Sequence, residues 1–122
     1  MIGYVCIGCN DPSRAAKFYD EVLAVFGAKR QGANERYISW GTSPSGSSLL
    51  LIKPFNGQPA TAGNGAMVAL SVDSTALVDA VYKKALELGA KDEGPAGARS
   101  PDFYAAFFRD PEGNKLAVYH SS

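Results

Sequence analysis

The apolar residues of this chain follow a strand spacing and then a helical spacing, and the sequence does this twice. Residues 4–9 and 67–72 alternate as strands do, with Val5 and Ile7 in the first run matching Val68 and Leu70 in the second. The apolar residues that follow are Ala15, Phe18, Tyr19, Val22 and Leu23 in the first half and Val78, Val81, Tyr82, Ala85 and Leu86 in the second. Both sets have the spacing of one buried helical stripe. The pattern predicts the same strand–helix unit in both halves.

The two predicted helices have matching start and stop signals. Asp11 stands before Pro12 as an N-cap followed by proline at the first helical position, and Ser74 occupies the equivalent place in the second half. Both helices are followed by Gly-Ala-Lys, at residues 27–29 and 89–91. Glycine suits the left-handed position that closes a helix. The match from strand to closing glycine indicates an internal duplication.

Three short strand signals follow each predicted helix, joined by turn residues. They lie at residues 28–30, 36–40 and 48–53 in the first half, and at 91–93, 103–109 and 115–120 in the second. Turn chemistry at 44–46 and 110–114 joins the last two strands of each half. The predicted fold class is therefore α+β, with two tandem βαβββ modules in one domain spanning residues 1–122. Module one covers 1–53, a linker covers 54–66, and module two covers 67–122.

Composition and charge narrow the function classes. Hydrophobic residues make up 46% and charged residues 20% of the 122 residues, as expected for one globular domain. Twelve Lys and Arg balance twelve Asp and Glu, and a neutral chain lacks the basic surface that nucleic acids or anionic membranes require. No basic residue precedes an apolar N-terminal run, and no run approaches a membrane span. We expect a cytoplasmic protein whose cysteines stay reduced.

Two motifs give the duplication a family resemblance. Asn10-Asp11 precedes Phe18-Tyr19, and residues 108–114 read Phe-Arg-Asp-Pro-Glu-Gly-Asn. A duplicated βαβββ unit with these motifs resembles the vicinal oxygen chelate superfamily, which includes glyoxalase I, bleomycin-resistance proteins, fosfomycin-resistance proteins and extradiol dioxygenases. Pro12 and Glu112 are mild departures from the family pattern. The resemblance implies a cupped mixed sheet with helices on its convex side and a cavity on its concave side.

Strand alternation then assigns side chains to the concave cavity. The candidate ligand-binding residues are Tyr4, Cys6, Met67, Phe103, Phe107, Arg109 and Tyr119, with Trp40 and Phe55 as further aromatic candidates. The set is aromatic and largely apolar with few polar groups, which is typical of a small-molecule site. Two alternatives stay open: the aromatic rings fill the cup or a subunit interface, and Arg109 makes a structural ion pair or turn contact beside Asp110.

The resemblance also implies four metal-ligand positions, and here they lack ligands. They map to Tyr4, Leu50, Met67 and Ala117, none of which is a carboxylate or imidazole. The only histidine, His120, is expected on the opposite face as a solvated side chain. Cys6 and Cys9 have redox or zinc spacing but are expected on opposite faces of one strand. We expect no metal and no other cofactor.

Three functional hypotheses follow. The first is a module that binds a small, partly aromatic ligand without a metal. The second is a metal-dependent lyase or dioxygenase of the glyoxalase I type with a non-standard metal site. The third is a structural or interaction module whose cup is packed shut. The resemblance implies a homodimer, with modules paired within the chain or exchanged between chains, and the sequence does not choose between the two.

Overall fold

The computed structural model describes residues 1–122 and contains two modules with the same order of elements. Module one comprises β1 (Tyr4–Gly8), α1 (Pro12–Ala24), β2 (Lys29–Ala33), β3 (Tyr37–Gly41) and β4 (Ser48–Ile52). Module two comprises β5 (Val68–Ser71), α2 (Thr75–Glu87), β6 (Lys91–Ser100), β7 (Phe103–Arg109) and β8 (Lys115–Ser121). The predicted α+β class with two βαβββ modules is confirmed. Each helix has 13 residues, and neither has the length and apolarity of a membrane-spanning segment.

Both helices begin and end where the sequence signals place them. The Asp11 carboxylate accepts a hydrogen bond from the Arg14 N–H at 3.2 Å, and the Ser74 hydroxyl accepts one from the Leu77 N–H at 3.1 Å. Gly27 and Gly89 follow the helices with φ of 89° and 96°, which an L side chain rarely adopts. These local signals hold because capping depends only on residues close in the chain.

The strands form two separate four-stranded sheets. Their orders are β1-β4-β3-β2 and β5-β8-β7-β6. The first strand of each module lies parallel to the last, and the other pairs are antiparallel. Strands β1 and β5 are therefore edge strands, each paired on one side only.

Strand β6 is longer than the sequence predicted. The strand signal near residues 91–93 marks only its beginning, since pairing with β7 continues to Ser100. The register shifts three times along this strand, between Asp92 and Gly94, between Gly94 and Gly97, and between Ala98 and Ser100. These bulges let a strand with glycine and proline in its middle keep its partner.

The two modules pack against each other through their helix-bearing sides. One cluster of buried residues includes the inner faces of both helices and side chains from both sheets. Phe18 on α1 lies 6.4 Å from Phe108 on β7, measured between ring centroids, so α1 covers part of the second sheet as well as its own. The opposite face of each sheet, here termed its open face, points away from this core. Tyr4 and Phe103, on the two open faces, are 64% and 36% exposed.

Candidate functional site

The open face of module two carries a row of aromatic side chains. Phe103, Phe107 and Arg109 alternate along β7, and Tyr119 on β8 lies beside Ala105 on the same face. The rings of Phe103 and Tyr119 stack at 5.3 Å with an angle of 24° between their planes. Aromatic surface of this kind offers a flat ligand stacking area.

The open face of module one mixes polar and apolar side chains. Tyr4 and Cys6 are exposed on β1, and Leu50 on β4 lies beside Cys6. The Ser48 hydroxyl donates to Gln31 Oε1 at 2.9 Å, and Gln31 Nε2 donates to the Ser43 carbonyl at 2.7 Å. This face presents hydrogen-bonding groups and the Tyr4 ring, and the pairing of Lys29 with Gly41 places one cation at its outer strand.

The positions at which the resemblance implies a metal do not fit one. Tyr4 and Leu50 are on the open face of module one, and Ala117 is buried in module two beneath the aromatic row. Met67 lies one residue before β5 and is 46% exposed. Nowhere in the chain do three or more His, Cys, Asp or Glu side chains converge as a metal site would require. The donor set does not suit a divalent ion.

Arg109 is engaged by its own module. Its Nε donates to Glu93 Oε1 at 3.0 Å, and its terminal nitrogen donates to the Gly113 carbonyl at 2.9 Å. Of the alternatives that the sequence left open, the ion pair and turn contact are the ones observed, with Glu93 rather than Asp110 as the acid. The side chain can still contact a ligand, but its charge is already compensated.

Two aromatic candidates lie away from the open faces. Trp40 is 1% exposed, its ring lies 5.6 Å from the Tyr19 ring, and its Nε1 donates to the Asp20 carboxylate at 2.9 Å. The expectation that Trp40 joins the concave face is wrong, because α1 covers the face of β3 from which it projects. Phe55 is 88% exposed beyond the end of β4, with the Arg36 guanidinium 5.0 Å from its ring centroid.

The cysteines and the histidine are separated in space. Cys6 is exposed on the open face, while Cys9 is 1% exposed in the core, and burial raises the pKa of the Cys9 thiol. His120 is half-buried on the helix side, where its Nδ1 lies 2.9 Å from the Val72 carbonyl oxygen. The expectation of a solvated His120 is therefore wrong, since the ring packs against the neighbouring strand.

The turn that follows β7 joins the modules. The buried Asp110 carboxylate accepts hydrogen bonds from the Tyr19 hydroxyl and from the backbone N–H groups of Glu112 and Asn114. Burial, and then the adjacent Asp110 charge, raises the pKa of Tyr19 well above its ordinary value. The amide of Asn114 also donates to the Gly8 carbonyl at 2.9 Å. Residues 110–114 therefore serve as an inter-module clasp rather than as part of a ligand site.

Two further cations flank Phe107 on the open face of module two. The Arg99 guanidinium carbon lies 5.4 Å from the Phe107 ring centroid, and the Lys115 ammonium lies 5.7 Å from it. Strand alternation from Ala117 places Lys115 on this face, so the sequence held a signal for it. Arg99 follows a bulge in β6, and no sequence signal marks its direction.

A cleft lies between the modules. It has a volume of about 450 Å³ and opens between the edge strand β5 and the helix-facing side of module one. Val5, Leu23 and Phe26 line one wall, and Val68 and Leu70 line the other. The cleft was not predicted, because its walls come from distant parts of the chain.

Comparison with known proteins places these features in a family. The family model described as the Glyoxalase/Bleomycin resistance protein/Dioxygenase superfamily matches residues 1–118. The chain belongs to this superfamily. No protein of curated function matches the sequence at a significant level.

Solved structures of this superfamily have the same fold. A glyoxalase/bleomycin resistance protein from Albidiferax ferrireducens T118 is 35% identical, with a TM-score of 0.92, and the match covers 100% of this chain and 99% of the other. A family enzyme from Burkholderia phytofirmans PsJN is 19% identical, with a TM-score of 0.77 and coverage of 98% of both chains. A lactoylglutathione lyase from Agrobacterium tumefaciens is 21% identical, with a TM-score of 0.72 and coverage of 98% and 92%. At such identities, the last two matches show a shared fold only.

Proposed function

We propose that this superfamily member binds a small, partly aromatic molecule on its open faces without a divalent metal. The observation that carries the proposal is the stack of the 36% exposed Phe103 on the half-buried Tyr119, on a face whose metal-equivalent position is Ala117. A stacked, solvent-accessible aromatic pair can accept another ring, at about 0.5–1.5 kcal/mol per ring pair beyond the area buried. Tyr4 and Cys6 supply the remaining exposed contacts from the other sheet.

A second copy of the chain is proposed to complete the site. Because the modules pack together through their helix-bearing sides, the two open faces of one chain do not cover each other. A homodimer in which module one of one copy faces module two of the other encloses both faces. The free edges of β1 and β5, each paired on one side only, are available to such an interface.

A neutral fluorescent ring system tests ligand binding directly. We expect phenylnaphthylamine to bind the wild-type protein. Phe107→Ala and Tyr119→Ala should each raise its dissociation constant by about fivefold or more, as loss of a ring contact predicts. The control is Phe55→Ala, which removes a phenylalanine that is 88% exposed and lies outside the open faces. Unchanged affinity in the first two variants, or equal loss in all three, contradicts the assignment. A dye that binds in the inter-module cleft would keep its affinity in Phe107→Ala and Tyr119→Ala.

Metal dependence is tested by thermal unfolding with and without chelator, Mn²⁺, Ni²⁺ and Zn²⁺. We expect the same melting temperature in every case, because a metal that binds only the folded state raises its stability as the metal concentration exceeds the dissociation constant, and no such site is expected here. Stabilisation by one metal at stoichiometric concentration would favour the metal-dependent lyase or dioxygenase alternative instead.

The dimer is tested by size-exclusion chromatography with light scattering. The expected mass is twice the chain mass of 12.9 kDa, and the melting temperature should rise with protein concentration. A monomer that binds the dye would remove the second copy from the proposal. A dimer that binds no dye would favour the alternative of a cup packed shut.

A further inference from the structure

Arg99 is held in place on the open face of module two by its own strand. It lies where the β6 register shifts between Ala98 and Ser100. One terminal nitrogen donates to the Gly97 carbonyl and the other to the Pro95 carbonyl, both at 2.7 Å. The guanidinium is therefore oriented before any ligand arrives, which lowers the entropy cost of binding.

Two glycines make room for this guanidinium. A Cβ on Gly97 would lie 3.3 Å from one Arg99 terminal nitrogen, and a Cβ on Gly94 would lie 3.4 Å from the other. The Gly94 Cβ would also lie 3.0 Å from the Phe107 ring. The absence of side chains at both positions lets Arg99 lie flat along the strand beside Phe107.

Two cations on this face have no ion-pair partner. The ion pairs of the structure join Arg30 to Asp20, Lys84 to Glu87 and Arg109 to Glu93. Arg99 and Lys115 belong to none of them. They approach Phe107 from the neighbouring strands β6 and β8. Arg99 and Lys115 are therefore two cations beside one aromatic ring with no carboxylate within ion-pair distance.

We propose that the molecule bound on this face is an aromatic anion. Its acidic group, a carboxylate, sulfonate or phosphate, accepts hydrogen bonds from the remaining N–H groups of Arg99 and from the Lys115 ammonium. Its ring lies on the aromatic row formed by Phe107, Tyr119 and Phe103. The inference rests on the proposed function, because it names the class of ligand for that same face.

Two dyes with the same ring system separate the two proposals. Anilinonaphthalene sulfonate carries an acidic group, and phenylnaphthylamine has the same rings without it. We expect the sulfonate to bind at least about tenfold more tightly to the wild-type protein, as two charge-assisted contacts imply. Its affinity should also fall as the NaCl concentration rises, since the cations are partly exposed.

Variants of the two cations test where the acidic group of the dye binds. Arg99→Gln and Lys115→Gln should each weaken sulfonate binding by about fivefold and leave the affinity for the neutral dye within about twofold. Arg36→Gln is the matched control, because Arg36 also lies over an exposed phenylalanine ring without a carboxylate partner. It should change neither affinity. Thermal unfolding of each variant reports whether the fold is retained.

The outcomes are distinct. If both dyes bind equally, or if Arg36→Gln matters as much as Arg99→Gln, the anion proposal is overturned while binding of aromatic molecules stands. If Arg99→Gln and Lys115→Gln leave the sulfonate affinity unchanged, the dye binds elsewhere and the anion proposal is also overturned. If neither dye binds, the proposed function itself fails.

Discussion

The hydroxyl of Tyr19 on α1 donates a hydrogen bond to the carboxylate of Asp110 in the turn after β7, at 2.5 Å. The two residues belong to different modules, and both are almost inaccessible to solvent. Asp110 also accepts hydrogen bonds from its own turn, so one carboxylate organises the turn and joins it to the first helix.

Removing the Tyr19 hydroxyl should destabilise the protein. Tyr19→Phe keeps the ring but takes a donor from a buried carboxylate, and we expect a loss of about 1–3 kcal/mol in the free energy of unfolding by urea. Tyr104→Phe is the matched control, because its hydroxyl donates to Asp79 at 2.6 Å near the surface, where water replaces it. Equal losses in the two variants would show that burial of Asp110 does not matter.

The same pair predicts a change of stability at alkaline pH. Burial raises the folded-state pKa of Tyr19 above its unfolded value of about 10. The neutral phenol therefore makes its full contribution to the free energy of unfolding below pH 10, and this contribution is lost as the pH rises through the folded-state pKa. We expect the stability difference between wild type and Tyr19→Phe to narrow above about pH 10. If the difference in unfolding free energy between wild type and Tyr19→Phe, measured with urea, stays constant across pH 8–11, the raised pKa of Tyr19 is contradicted.

Glu112 should contribute to the contact between modules. Its Oε1 accepts hydrogen bonds from the backbone N–H groups of Asn10 and Asp11. Glu112→Ala should lower the free energy of unfolding by about 1 kcal/mol, and Glu112→Gln, which keeps an acceptor oxygen, by less. Glu87→Ala, which breaks an exposed ion pair with Lys84, should cost under about 0.5 kcal/mol. Equal costs for Glu112→Ala and Glu87→Ala would show that the clasp adds nothing.

A side chain at Gly94 should destabilise the protein. In Gly94→Ala the new Cβ would stand 3.0 Å from a Phe107 ring carbon, so either the ring moves or β6 shifts. We expect a loss of about 1 kcal/mol in chemical unfolding, in the range of small-to-large changes in packed sites. Gly3→Ala, where nothing lies within 4 Å of the new Cβ, is the control and should be neutral. If both variants unfold as wild type does, the close packing around Phe107 is not required.

The site was predicted in part. Alternation along β7 and β8 placed Phe103, Phe107 and Tyr119 on one face, because those strands are regular over their whole length. Alternation did not place Trp40, which is only a further aromatic candidate by sequence and is instead buried under α1. It also missed Arg99, because each bulge in β6 shifts the phase by one residue.

The sequence by itself determined most of the local structure and the duplication: the helix caps, the closing glycines, the regular strands and the family. These depend on residues near each other in the chain, and on alternation within one regular element. Only the tertiary structure decided how the modules pack, because that depends on contacts between distant residues such as Tyr19 and Asp110. For the same reason it alone showed that Arg109 is paired while Arg99 and Lys115 remain uncompensated on the open face.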